Sequence, residues 1–152
     1  MWGRHSAAGG CARPYRRGVI RAVETADLPD AAALLVRRHA DHRREQPLLD
    51  PLEHDRAVAE IEALLSLDGA RGAVAIREDE VVGYLIGASK AGASWGANVW
   101  VEAAGCAGEK LPELWAYVAA DWVAAGLTAH YVVVPPSVAP PFLSLGCGIQ
   151  HL

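Results

Sequence analysis

Apolar residues recur at two different spacings along this 152-residue chain, and the changes from one spacing to the other mark its elements. Val19-Ile20-Arg21-Ala22-Val23 is short and apolar enough for a first strand. A helix is expected next. Thr25 suits its N-cap, Asp27 favours the positive helix end, Pro29 is tolerated in the first turn, and Leu28, Ala32 and Leu35 recur at helical spacing. Arg37 to Gln46 is polar, and a loop is expected from Arg37 to Pro51. A second helix should open at Asp50-Pro51-Leu52-Glu53, where Asp50 can cap, Pro51 suits the first position and Glu53 can reach back as in a capping box. Ala57, Ile61, Leu64 and Leu65 make its buried stripe, and Gly69 ends it.

The period then becomes that of strands. Ala73-Val74-Ala75-Ile76, a turn at Glu78-Asp79-Glu80 and Val81-Val82-Gly83-Tyr84-Leu85-Ile86 read as an antiparallel hairpin. Ala93 to Val101, with Trp95 and Trp100, reads as a further strand. After an unusual loop, Leu111, Leu114, Trp115, Val118 and Trp122 line one side of a helix that stops at Gly126. His130 to Val134 is a buried strand by composition, Pro135-Pro136 breaks it, and Phe142 to Gly146 is a short helix with a glycine stop. Gly148 to Leu152 has room only to begin a last strand.

At this length one core is the prior, burying about two thirds of the unfolded surface. With 52% hydrophobic and 21% charged residues the chain is ordinarily globular. No apolar run approaches the roughly 20 residues of a membrane span. Cys11, Cys106 and Cys147 are widely spaced and odd in number, so neither a disulfide framework nor a Cys-x-x-Cys zinc site is expected; the natural compartment is a reducing cytoplasm. Arg4, Arg13, Arg16 and Arg17 make residues 1–17 a basic tail, expected to be disordered: a frayed extension or misassigned start, with a docking arm as the alternative. Without those four, ten basic residues face eighteen acidic ones, and an acidic body argues against nucleic acid as a partner.

The element order across Val19 to Leu152 resembles the acyl-CoA N-acyltransferase fold of the GNAT superfamily, an α+β domain with a mixed central sheet flanked by helices. Ile20 to Leu28 is similar to that family's first strand running into its first helix, and Phe142-Leu143-Ser144-Leu145-Gly146-Cys147 to its late aromatic turn. The stretches Trp122 to Gly126 and His130 to Pro135 resemble the N-terminal half of tandem-domain actinobacterial members, which implies a second GNAT domain as a partner. The resemblance implies an N-acetyltransferase that moves an acetyl group from acetyl-CoA to a small-molecule amine or a protein amino group. Carried over by position, Val99, Trp100 and Val101 would contact the acetyl and pantetheine groups. Cys106, Ala107, Gly108, Glu109, Lys110 and Leu111 would form the phosphate cradle. As general base, Glu102 is the first candidate and His130 the second; for both, a structural role is the competing reading.

The family's phosphate loop carries Gln or Arg, then two small residues, where this chain has Cys106, Glu109 and Leu111. A carboxylate about 4 Å from phosphate costs roughly 1 kcal/mol in water and about 4 at intermediate screening. The loop therefore reads as degenerate, although Gly105 and Gly108 offer a shifted alternative and Lys110 a compensating charge. Phe142 stands where the family's proton-donating tyrosine is usual, with Tyr131 and Cys147 nearby in sequence. The alternative function is a catalytically degenerate domain with a structural or regulatory role beside an active partner. His39 and His42 could share a helical face, with Asp41 and His54 as further candidate metal ligands, but the stretch is full of arginines and a polar surface is favoured over a metal site. Cys106 near a helix start is read as a small loop residue before a nucleophile.

Overall fold

A computed structural model describes residues 18–90, 96–102 and 104–149. The basic tail over 1–17, the Ala93 to Trp95 part of the expected strand, Ala103 and residues 150–152 lie outside the described residues. The elements run β1 (Val19–Ala22), α1 (Leu28–Glu45), α2 (His54–Leu65), β2 (Arg71–Arg77), β3 (Glu80–Gly87), β4 (Asn98–Val101), β5 (Cys106–Gly108), α3 (Leu111–Ala124), β6 (Ala129–Val132) and α4 (Ala139–Ser144). Single 3-10 turns at Thr25–Asp27 and Pro136–Val138 lead into α1 and α4.

The start of α1 is pinned by Asp27 instead of Thr25. Its Oδ2 accepts the Glu24 amide at 2.8 Å, and both carboxylate oxygens accept the Arg21 guanidinium at 2.7 Å. Strand β1 and helix α1 are thereby locked together at their junction. Helix α1 then continues to Glu45, through the stretch expected as loop. Arginine, alanine and glutamate are good helix formers, so the loss of apolar periodicity after Leu35 marks an exposed, polar end of the helix and not its stop. Helix α2 begins at His54 with Glu53 at its N-cap, later than the expected Asp50. His39 Nε2 donates to Asp50 O at 2.8 Å and His54 Nε2 to Pro29 O at 2.9 Å, so these histidines fasten the link and the helix pair.

β1, β2, β3 and β5 form an antiparallel sheet in that order, with Val74 opposite Tyr84 and Tyr84 opposite Ala107. The β2–β3 hairpin turns through Glu78 and Asp79, both at positive φ (53° and 66°), the geometry a two-residue turn needs to match strand twist. β4 lies parallel to β6 with Trp100 opposite Tyr131, and it joins the end of β3 through a bridge between Ala88 and Trp100. The sheet is therefore mixed, as expected.

Successive residues divide between its two faces. Val74, Tyr84 and Ile86 meet α1 and α2 through Ala31, Leu35, Ala57 and Ile61, while Ala73, Ala75, Leu85, Val99 and Val101 meet α3 through Leu114, Val118 and Trp122. Gly87 makes room for the Trp122 indole, since a Cβ there would lie 2.7 Å from the ring. Among the described residues no helix is long and apolar enough to cross a membrane.

Candidate functional site

β4 and β5 lie one after the other beside β3, β4 reaching it through the Ala88–Trp100 bridge and β5 by direct pairing. β4 is held on both sides: Trp100 exchanges backbone hydrogen bonds with Ala88 (2.8 and 3.1 Å), and Val101 O accepts the Val133 amide at 2.8 Å. Beyond that last bond the two neighbours part. β5 returns to β3, with Ile86 N donating to Gly105 O (2.6 Å) and Glu109 N to Val82 O (2.9 Å), while the chain after β6 breaks at Pro135 and turns into α4. Proline lacks the amide needed to continue the ladder, so the sequence itself opens the gap.

A cavity of about 240 Å³ fills this gap. Its wall includes Arg38 and Tyr84 from the α1 side of the sheet, Leu111, Leu114 and Phe142 from the α3 side, and Cys106, Ala107 and Gly108 along β5. It therefore passes from one face of the sheet to the other. The antiparallel register pairs Ile86 with Gly105, Tyr84 with Ala107 and Val82 with Glu109 as hydrogen-bonded partners. By alternation, the peptide groups of Cys106 and Gly108 point away from β3, toward the open edge.

Arg38 reaches that edge. Its Nη1 donates to Cys106 O and lies 3.7 Å from Cys106 Sγ. Tyr84 donates its hydroxyl to Ala104 O at 2.8 Å. Burial pushes the Tyr84 phenol and the Cys106 thiol upward, with Arg38 opposing in both cases, so both groups stay protonated at neutral pH. Phe142 also faces the cavity and packs edge-on against Trp115, its ring centroid 6.1 Å away.

The entrance at α3 is occupied by this chain's own groups. Lys110 takes a left-handed conformation (φ 70°) at the N-cap, and Pro112 removes one of the first-turn donors. The Glu113 carboxylate accepts its own backbone N–H and the Lys110 ammonium at 3.0 Å, and the lysine holds that carboxyl below its usual range. Glu109 is turned elsewhere: its carboxylate meets the Arg77 guanidinium at 2.7 and 3.3 Å. The acid at the helix entrance is thus Glu113, and the sequence signal for it was its place in the first turn after Pro112.

The residues assigned by position divide into groups. Cys106 to Gly108, read as part of a phosphate loop, form β5, with Ala107 paired to Tyr84 of β3 and the flanking Gly105 and Glu109 bonded to Ile86 and Val82. With Glu109 and Leu111 they line the cavity; Lys110 lies at its N-cap position beside them. Val99, Trp100 and Val101 do not line it, since their peptide groups are already engaged with Ala88 and β6. Glu102 pairs with the Lys90 ammonium, which also lies 4.6 Å over the Trp100 ring. Trp100 stacks on Tyr131 at 4.7 Å. His130 sits apart from them, its Nε2 donating to Leu127 O at 2.8 Å and its ring edge-on to Trp115 and Trp122. Asn98, fully buried and not foreseen from sequence, holds both backbone groups of Lys90 and so sets the position of the Glu102 pair. Among the described residues no group of three metal-ligating side chains occurs.

No protein-family model matches the sequence, and no curated protein does. Solved structures do match. A transcriptional regulator from Bacillus halodurans C-125 aligns with a TM-score of 0.65 at 17% identity, over 89% of this chain and 95% of that one. An aminoglycoside N-acetyltransferase in complex with CoA aligns at 0.62 and 15% identity, over 89% and 90%. The ribosomal-protein-alanine N-acetyltransferase from Brucella melitensis biovar Abortus 2308 aligns at 0.60 and 14% identity, over 89% and 95%. The chain has the fold of the GNAT acetyltransferases.

Proposed function

We propose that this GNAT-fold chain is an N-acetyltransferase that uses the cavity beside β5 to bring the thioester of acetyl-CoA to a primary amine. The observation that carries the reading is the opening through the sheet, bounded by outward-turned peptide groups of Cys106 and Gly108. Such groups can bond an amide-bearing arm and polarise a thioester carbonyl. The acetyltransferases with this fold, one of them holding CoA, support the same reading.

In the reaction the amine nitrogen bonds to the thioester carbonyl carbon, the carbon–sulfur bond breaks, the amine gives up a proton and the departing thiolate gains one from water. Tyr84 and Cys106 remain protonated and add no negative charge to the cavity wall. Glu102 is the proposed proton acceptor, positioned by Lys90 and Trp100. His130 is the weaker candidate, because its Nε2 already serves Leu127.

The residues fit the thioester end of CoA and not its diphosphate, whose place at the start of α3 is taken by Glu113 and Pro112. This favours weak nucleotide binding and supports a second reading, a degenerate domain beside an active partner such as a second GNAT domain. Titration calorimetry with acetyl-CoA and with S-acetylpantetheine separates the two. Comparable binding of both ligands with turnover of an amine supports the enzyme. No heat from either at millimolar concentration removes it.

A further inference from the structure

Arg38 has no carboxylate partner among the described residues. Two acids in the neighbourhood are committed elsewhere: Glu60, which acts with Arg38 on Tyr84, pairs with Arg56 at 3.1 Å, and Glu109, which lines the same cavity, pairs with Arg77 at 2.7 Å. Among the described residues only Nη1 of its guanidinium is engaged, on Cys106. The other donors belong to a half-buried cation on the wall of a largely apolar cavity, with Tyr84, Ala107, Leu114, Val138 and Phe142 around it. A guanidinium so placed attracts a planar, bidentate anion, and the low polarity around it strengthens the bond.

Position then indicates which ligand carries that anion. On the acetyl-transfer reading, on which this inference rests, the donor enters from the α3 side, so the acceptor occupies the opposite end of the cavity, where Arg38 and Tyr84 form the wall. At about 240 Å³ the cavity has room for roughly eight water-sized groups, taking about 30 Å³ for each, which exceeds what an acetyl group fills. One turn along α1 from Arg38, His42 buries an Nε2 that has no hydrogen-bond partner among the described residues, a second polar group on the same stripe of the helix. We propose that Arg38 is a carboxylate anchor and that the acceptor is a small amine bearing a carboxylate, of the amino-acid class.

The test compares 4-aminobutyrate with n-butylamine as acceptors, using acetyl-CoA, in the wild type, R38Q and R38K. Glutamine keeps a donor for Cys106 O and lysine keeps the charge; circular dichroism and melting confirm that each variant folds. The expected result is a kcat/KM about tenfold or more higher for 4-aminobutyrate in the wild type, as a charge-assisted pair implies. R38Q should lose that preference through the KM of the amine with the KM of acetyl-CoA unchanged, and R38K should retain part of it. Equal use of the two amines, or a preference that survives R38Q, overturns the proposal. A further arm pairs succinyl-CoA with n-butylamine: an Arg38-dependent preference for succinyl-CoA over acetyl-CoA would place the carboxylate on the acyl group and overturn the acceptor assignment. Should no amine turn over, the acetyl-transfer reading fails by itself, and the anchor is judged by NMR titration with 4-aminobutyrate. Shifts at Arg38 and Cys106 in the wild type but not in R38Q would support it, and no shifts would overturn it.

Discussion

Replacing Gly83 with alanine tests the packing that places β5 on the cavity wall. Gly83 faces Gly108 across the ladder, and a Cβ on Gly83 would fall on the Glu109 peptide, 2.9 Å from its nitrogen, 3.0 Å from its carbon and closer still to its oxygen. These are backbone atoms, tied down by the 2.9 Å bond from Glu109 N to Val82 O, so no side-chain rotation relieves the contact. Either β5 moves away from β3 or the Glu109 peptide turns. Forcing extra volume into a packed site costs about 1–3 kcal/mol, and losing the ladder bond adds about 1. Alanine's smaller unfolded-state entropy returns about 0.4–1 kcal/mol. The net loss should be about 1–3 kcal/mol, or a fall in Tm of roughly 2–12 °C for a domain of this size. Urea denaturation followed by circular dichroism measures it, with Gly148→Ala, where a Cβ meets nothing within 4 Å, as control. Because β5 lines the cavity, the thermal shift produced by acetyl-CoA should shrink in the same variant. G83A as stable as the control would show that the two strands are not held this closely, and the cavity wall would need another explanation.

Trp122, 1% exposed between α3 and the sheet, anchors the second core cluster, and W122A should lose about 3–5 kcal/mol in denaturant titration; a loss below 1 would mean that α3 repacks. Arg21 holds the Asp27 carboxyl below its usual range, so its contribution is complete above the unfolded value of about 3.9 and disappears as pH falls through the lower folded value. The difference in Tm between wild type and D27N should therefore be constant at neutral pH and shrink in strong acid; a difference that ignores pH would refute the ion-pair account. E113A removes the carboxylate from the first-turn amide, and should tighten acetyl-CoA in calorimetry while leaving S-acetylpantetheine unchanged. Equal changes for both ligands would show that Glu113 does not guard the nucleotide end.

The elements with strong periodicity were legible in the chain alone. The β2–β3 hairpin, the α3 stripe of Leu114, Val118 and Trp122, and the glycine stop at Gly126 follow from spacing and turn chemistry, and each is where those patterns put it. The second half of α1 was not, because its arginines and histidines carry no apolar period. β5 was hidden for a related reason: Cys106-Ala107-Gly108 is too short and too small to look like a strand until β3 lies beside it.

The candidate site divides along the same line. The fold class followed from the order of elements and its family resemblance, and the sequence alone determined the hydroxyl-free ring at Phe142 and the break at Pro135-Pro136, since these depend on residue type and local backbone chemistry. Only the tertiary structure decided that Glu109 serves Arg77 while Glu113 occupies the start of α3, that Glu102 is held by Lys90, and that Arg38 reaches across sixty-eight residues of chain to Cys106. Side-chain pairing of that kind depends on which surfaces the packed helices bring together, and spacing along the chain carries no record of it.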